Sequence, residues 1–95
     1  MTVKETYEKK LQAQLDEWEA EINKLKDKAD KAAAEAQPEY NKLIDELRSM
    51  QEAAKKKIAE LKAAGDNAWE HLEEGIENIF NSLGKALDSM NSRFQ

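Results

Sequence analysis

The sequence predicts an all-α protein in which a long, nearly straight amphipathic helix is followed by a shorter helix, and the two assemble as a coiled coil or a helical bundle. Apolar residues recur at steps of three and four from Tyr7 to Phe94, which is the spacing of one helix face. Charged residues make up 37% of the chain, and alanine, glutamate and lysine are prominent, as in coiled coils. Only Pro38 and three glycines interrupt this run of helix-forming residues.

The apolar residues, which we call the apolar stripe, also repeat at a distance of five helical turns. One such series is Ile22, Tyr40, Ile58, Ile76 and Phe94. A strict heptad repeat would impose a left-handed supercoil, but occasional extra four-residue steps cancel that drift. The stripe spans only about 80° of the helix surface, as in a coiled-coil seam. We therefore expect straight helices with little supercoil.

The first helix is predicted over about residues 3–64. Thr2 is an acceptable N-cap, and Glu5 three residues later completes the capping-box pattern. Either Pro38 occupies the first turn of a new helix that starts at Gln37, or one long helix bends at Pro38 and continues. We favour the bent, continuous helix, because the stripe keeps its phase across Pro38 and no glycine, asparagine or serine adjoins it. That helix would be about 90 Å long.

The boundary between the two helices is predicted at Gly65–Asp66 within a single domain that spans residues 1–95. Gly65 is suited to the left-handed conformation that closes a helix, and Asp66 is a good N-cap for the next one. The second helix is predicted over about residues 67–93. If the chain turns back at Gly65, the second helix covers part of the first. If it only kinks there, the chain is a rod that has to oligomerise.

A narrow stripe on a highly charged chain has to be buried against other helices, either of the same chain or of other copies. We expect a homo-oligomer, and hence a non-enzymatic, self-associating structural or interaction protein. The residues expected to form the association surface are the large members of the stripe and its flank: Leu11, Leu15, Trp18, Ile22, Leu25, Tyr40, Leu43, Leu47, Ile58, Leu61, Trp69, Leu72, Ile76, Ile79, Phe80, Leu83, Leu87 and Phe94.

Composition argues against several classes of partner and compartment. The formal net charge is −5, so the chain lacks the basic field that nucleic acids require, and we expect no nucleic-acid binding. There is no cysteine, which excludes disulfides and is consistent with a cytoplasmic protein. The segment Met1-Thr2-Val3-Lys4 leads straight into a charged helix without an apolar core region, which predicts no signal peptide. No apolar run is long enough to span a membrane.

No arrangement of residues predicts catalysis, a cofactor or a metal. His71 is the only histidine; with Glu74 it would make a weak metal site, and a solvated surface histidine is the simpler interpretation. The many carboxylates lie on the polar face, where nothing separates their pKa values for acid–base chemistry.

The aromatic residues offer an alternative function. Their simplest role is in the helical core, but the wide apolar face after Gly65 also suits an amphipathic module that engages lipid or exposed apolar surfaces of other proteins. Only Lys85 and Arg93 are basic in this segment, so attraction to anionic lipid is weak and a protein partner is the better version.

The chain resembles a group of small bacterial coiled-coil proteins described as stress-response or coiled-coil domain proteins. The matching segments are Gln14-Leu15-Asp16-Glu17-Trp18 with Glu21-Ile22, then Gly65-Asp66-Asn67-Ala68-Trp69-Glu70, and finally Ser92-Arg93-Phe94. The resemblance runs nearly end to end. It implies a helical, non-enzymatic protein linked to stress tolerance, with no catalytic residues to carry over. Pro38 departs from the pattern expected inside the first helix.

Overall fold

The protein is an all-α bundle of three helices in a computed structural model that describes residues 2–65 and 68–93. Helix α1 covers Val3–Asp30, α2 covers Gln37–Ala63 and α3 covers Glu70–Arg93. The hydroxyl of Thr2 accepts a hydrogen bond from the Glu5 N–H at 3.1 Å, so Thr2 caps α1 as its sequence position predicts. The arrangement of three packed helices confirms the predicted helical bundle class.

The prediction of a single long helix over residues 3–64 is wrong, because α1 ends at Asp30 and the chain reverses before Gln37. Of the two interpretations of Pro38, the structure shows a new helix that starts at Gln37 with Pro38 in its first turn. A first-turn proline loses no hydrogen bond, because the N–H at that position has no partner inside the helix. The Gln37 side chain donates to the carbonyls of Asp30 and Ala32, both at 3.0 Å, and so satisfies acceptors left at the end of α1.

The second boundary lies where it was expected, but its geometry differs. Helix α2 ends at Ala63, and Ala64 leaves the helix in an extended conformation, with φ −74° and ψ 144°. Gly65 does not adopt a positive φ, so the expected left-handed closure at Gly65 is wrong. Helix α3 begins at Glu70, three residues later than predicted. The expected N-cap Asp66 lies outside the described residues.

The three helices run up, down and up. The Lys26 ammonium donates to the Asn41 side chain at 2.7 Å, and the Lys4 ammonium donates to the Lys62 carbonyl at 3.3 Å. Because the residue number rises on α1 as it falls on α2, these two helices are antiparallel. The ring pairs Tyr7–Trp69 and Trp18–Phe80 keep a constant offset instead, so α1 and α3 are parallel. The chain measures 51 × 19 × 18 Å.

The apolar stripe is buried inside one chain. The buried apolar residues come from all three helices and form a single core: Leu11, Leu15, Ile22, Leu25, Ala29, Ile44, Leu47, Ala54, Ile58, Leu61, Ile76, Phe80, Leu83, Leu87 and Met90. Of the two ways to cover the stripe, burial against helices of the same chain is therefore the one observed. At Gly65 the chain turns back, and the extended rod is excluded.

Candidate interaction surface

The residues predicted for self-association contribute to the core of the monomer. Buried among them are Leu11, Leu15, Ile22, Leu25, Leu47, Ile58, Leu61, Ile76, Phe80, Leu83 and Leu87. Partly buried against the core are Trp18, Tyr40, Leu43, Trp69, Leu72 and Ile79. Phe94 lies outside the described residues. Within one chain the buried residues contact other helices and leave little apolar surface for a second molecule, so an interaction surface has to be sought where the core reaches the exterior.

A groove lies between α1 and α3. These two helices contact each other less extensively than either contacts α2. The groove has a volume of about 660 Å³. It is lined by Tyr7, Lys10, Leu11, Gln14 and Trp18 of α1 and by Glu77, Phe80, Asn81, Gly84, Lys85 and Asp88 of α3. We call it the α1–α3 groove. Smaller depressions of about 170 and 190 Å³ lie between α2 and α3.

Aromatic rings bridge the two helices along this groove. The Trp18 and Phe80 rings lie 5.4 Å apart between centroids and are tilted by 44°. Gly84 lies against the Trp18 indole, and a Cβ added there would be 3.4 Å from Trp18 Cζ2, an ordinary van der Waals contact. Toward the start of α1, Tyr7 packs on Trp69 with centroids 5.6 Å apart. Large, rigid rings beside a groove are typical anchors for a binding partner.

Charges of both signs surround the groove. Lys10 and Lys85 contribute positive charge, whereas Glu77 and Asp88 contribute negative charge. The groove is therefore neutral by formal count, and it does not offer a cationic surface to phosphate groups. The groove therefore combines an apolar, aromatic lining with charges of both signs at its edges.

Tyr7 brings an unsatisfied polar atom to this region. Its hydroxyl is buried and has no hydrogen-bond partner among the residues that the structure describes. Burial raises the pKa of Tyr7 above its ordinary value, and the nearby carboxylates of Glu77 and Glu73 raise it further. The phenol therefore stays neutral and uncharged beside the groove well into the alkaline range.

Replacing Tyr7 with phenylalanine is expected to leave stability at neutral pH unchanged or slightly higher, because the lost hydroxyl makes no hydrogen bond. At alkaline pH the two proteins should differ. Folding raises the pKa of Tyr7, so the unfolded chain loses the phenol proton at a lower pH than the folded chain does. The protein with Tyr7 is therefore fully stable below the unfolded-state pKa and loses stability as the pH rises from that value toward the folded-state pKa. Urea unfolding at pH about 8 and about 10.5 measures this. Equal alkaline losses in both proteins would contradict a burial-induced shift.

Gln51 is a core residue that the apolar pattern missed. It occupies the position between Leu47 and Ala54 where the stripe was assigned to Met50, and it is only 6% exposed while Met50 is partly exposed. Its Nε2 group has no hydrogen-bond partner within residues 2–65 and 68–93. A pattern based on apolar residues alone cannot find it, although its spacing of four from Leu47 and three from Ala54 is as helical as that of Met50.

Replacing Gln51 with leucine, which has a similar volume, is expected to raise the free energy of unfolding by about 1–2 kcal/mol, because the buried Nε2 group without a hydrogen-bond partner carries a desolvation cost. Thermal unfolding should shift upward by about 4–8 °C per kcal/mol. The same change at the exposed Gln12 is the control and should alter stability by less than about 0.5 kcal/mol. A lower melting temperature for Gln51→Leu would show that the amide has a stabilising role.

Other kinds of site find little support in the described part of the chain. No group of three histidine, aspartate or glutamate side chains in these residues is arranged to hold a metal ion, and His71 is exposed. None of the described helices is both long and apolar enough to cross a lipid bilayer. The α1–α3 groove is therefore the candidate surface that the geometry favours.

Comparison with known proteins adds no further guide to the site. No protein family, no curated protein and no solved structure matches the chain.

Proposed function

We propose that this protein is a non-enzymatic helical interaction protein that accepts an amphipathic helix of a partner protein in the α1–α3 groove. The observation that carries the proposal is the groove itself, a volume of about 660 Å³ between α1 and α3 whose lining includes the Tyr7, Trp18 and Phe80 rings. The sequence pattern indicates such a binding module as the alternative function and assigns it to the segment after Gly65 alone. The proposed module is instead formed by α1 and α3 together.

The shape of the groove favours a helix. Along α1 its lining extends from Tyr7 to Trp18, which is three turns or about 16 Å. A helix laid between two parallel helices buries residues at positions i, i+3, i+4 and i+7 over such a length. Trp18 and Phe80 would contact these residues, and a fourth helix would complete a four-helix bundle.

The charges of the groove favour a protein over a lipid surface or a nucleic acid. An anionic membrane or a phosphate backbone is attracted by clustered lysine and arginine. Here Lys10 and Lys85 are balanced by Glu77 and Asp88. A helix with acids and bases on its flanks can pair with all four, in the way that flanking charges select partners in coiled coils.

The two tryptophans allow a direct test by NMR, because Trp18 lines the groove and Trp69 does not. The probe is a synthetic amphipathic peptide of leucine, glutamate and lysine, about 18 residues or five turns long, with leucine at heptad positions a and d. Titration is expected to shift the Trp18 indole N–H signal more than that of Trp69. Vesicles of anionic phospholipid form the second arm. A shift of the Trp18 signal with vesicles but not with the peptide would indicate lipid binding in place of helix binding. No shift with either the peptide or the vesicles would overturn the proposal.

A matched pair of variants on α3 localises the binding. Asn81 lines the α1–α3 groove, whereas Asn78 lines a depression between α2 and α3, and both are exposed. Asn81→Arg should obstruct the groove and weaken peptide binding by about 10-fold or more, which corresponds to about 1.4 kcal/mol. Asn78→Arg adds the same charge to the same helix and should bind as the unmodified protein does. Equal weakening by both variants would contradict binding in the groove.

Self-association is the second candidate function, and one observation favours it. The stripe continues in phase through Ala29, Ala32, Ala36 and Tyr40, across the turn that separates α1 from α2. A chain that needed only to turn there would have no reason to keep this phase. The proposed link to stress tolerance is supported only by the resemblance, and the proposed cytoplasmic location by the absence of cysteine.

A further inference from the structure

The turn between α1 and α2 has the composition of a helix. Residues 31–36, which we call the hinge, read Lys-Ala-Ala-Ala-Glu-Ala. All of them are strong helix formers, and none is a glycine, proline, asparagine, aspartate or serine of the kind that normally specifies a turn. The local chemistry of the hinge therefore favours a helix at the place where the chain reverses.

The backbone on both sides of the reversal is already helical. Lys31 has φ −92° and ψ −7°, and Ala36 has φ −89° and ψ −22°. The N–H groups of Ala36 and Gln37 both donate to the Ala33 carbonyl, at 2.9 and 3.2 Å. Ala36, at the N-cap of α2, makes no side-chain capping hydrogen bond. Straightening the hinge would therefore change only a few backbone torsions between Lys31 and Ala36.

Two neighbouring residues favour the closed hairpin. Pro38 loses nothing in the first turn of α2, but inside a continuous helix it would forfeit a hydrogen bond and clash with the carbonyl of Ala34. The Gln37 side chain holds the carbonyls of Asp30 and Ala32, which backbone N–H groups would satisfy in a straight helix. The balance between turn and helix thus depends on Pro38, Gln37 and the packing of α1.

We propose that two copies of this chain form an exchanged dimer, in which the hinge straightens and α1 of each copy packs on α2 and α3 of the other. This inference deepens the self-association candidate and does not depend on helix binding in the α1–α3 groove. The occupant is a second copy because exchange restores every helix contact of the closed form, including Lys26 with Asn41 and Trp18 with Phe80. Because the stripe keeps its phase across the hinge, the apolar faces of α1 and α2 would lie on the same side of the straightened helix.

The exchanged dimer differs from the closed chain and from a groove-mediated dimer in its length. Straightening joins α1 to α2 as one helix over residues 3–63, about 90 Å long. The closed chain is 51 Å long, and two closed chains joined side by side through their grooves would stay close to that length. Mass and maximum dimension together therefore identify the form.

The test compares the unmodified chain with two hinge variants. Pro38→Ala removes the residue that opposes the straight helix, and it is expected to raise the dimerisation constant on the order of 100-fold for each straightened hinge. Ala34→Gly disfavours a helical hinge at an exposed position and should lower that constant about 5-fold for each hinge. Each protein is unfolded in denaturant and refolded across a concentration series. Light scattering then gives the mass, and small-angle X-ray scattering gives the maximum dimension.

The expected order of dimer formation is Pro38→Ala, then the unmodified chain, then Ala34→Gly, with a dimer clearly longer than the closed chain. The groove variant Asn81→Arg should leave this order unchanged, which separates failure of the exchange from failure of groove binding. A Pro38→Ala chain that stays monomeric at every concentration would overturn the proposal. So would a dimer that keeps the length of the closed bundle, or one that Ala34→Gly forms as readily as Pro38→Ala.

Discussion

Ala54→Glu is expected to prevent the chain from folding at neutral pH. Ala54 is 0% exposed on α2, the helix that packs against both of the others. A glutamate there would overpack a site that holds a single methyl group and would bury a carboxylate with no partner. Overpacking costs about 1–3 kcal/mol and an unpaired buried carboxylate several kcal/mol more, so together they approach the stability of a small domain, about 5–15 kcal/mol.

The same change at Ala59 is the control, because Ala59 lies on the exposed face of the same helix. Circular dichroism and thermal unfolding of the two variants measure the difference, and Ala59→Glu should stay within about 0.5 kcal/mol of the unmodified chain. Acid should partly rescue Ala54→Glu: the buried carboxyl would have a folded-state pKa above the unfolded value of about 4.3, so its cost grows as the pH rises past that value. A cooperative, equally stable bundle at neutral pH would contradict the placement of Ala54 in the core.

Leu83→Ala is expected to lower the free energy of unfolding by about 2–5 kcal/mol. Leu83 is 0% exposed on α3, between the buried residues Phe80 and Leu87. Removing its side chain loses the transfer free energy of the buried carbon atoms and leaves a cavity that close-packed helices fill only in part. The loss of stability depends on how far α3 can move into the cavity. A loss in the lower half of this range would mean that the helices around Leu83 partly close the cavity.

Chemical unfolding of Leu83→Ala in urea measures this loss, and Val3→Ala is the matched control. Val3 is 75% exposed at the start of α1, so its truncation should change stability by less than about 0.5 kcal/mol. Similar effects of the two substitutions would contradict the core assignment. A change in the urea slope as well as the midpoint for Leu83→Ala would indicate a change in the compactness of the native or unfolded state, or unfolding that is no longer two-state.

Much of the core was predictable from periodicity, and its exceptions have physical causes. Leu15, Ile22 and Leu61 recur at helical spacing and are fully buried. Gln51 was missed because it satisfies the spacing but not the apolar composition of the stripe. Met50, one residue earlier, satisfies the composition but lies at the margin of the core, since the packing of α2 between two helices selects the face that carries Gln51.

The α1–α3 groove was not predictable from the chain alone. Its residues lie on two helices that are distant in sequence, and Lys10, Asn81 and Asp88 carry no signal separately. They become neighbours only because α3 returns parallel to α1. Trp18 was recognised as a residue of the stripe and Phe80 as a residue of its flank, but whether their rings face another copy or one another depends on that return. The groove therefore belongs to the tertiary structure, as does the volume available for a partner.

The sequence by itself determined that the chain is helical and which face of each helix is apolar. These properties follow from local periodicity and composition, which act within a few helical turns. Only the tertiary structure decided where the chain reverses. Residues 31–36 prefer a helix locally, and Pro38 is compatible with a bend or a new start. The reversal prevails because it lets α1 and α2 bury their apolar faces against each other in one chain, a gain that no local preference encodes.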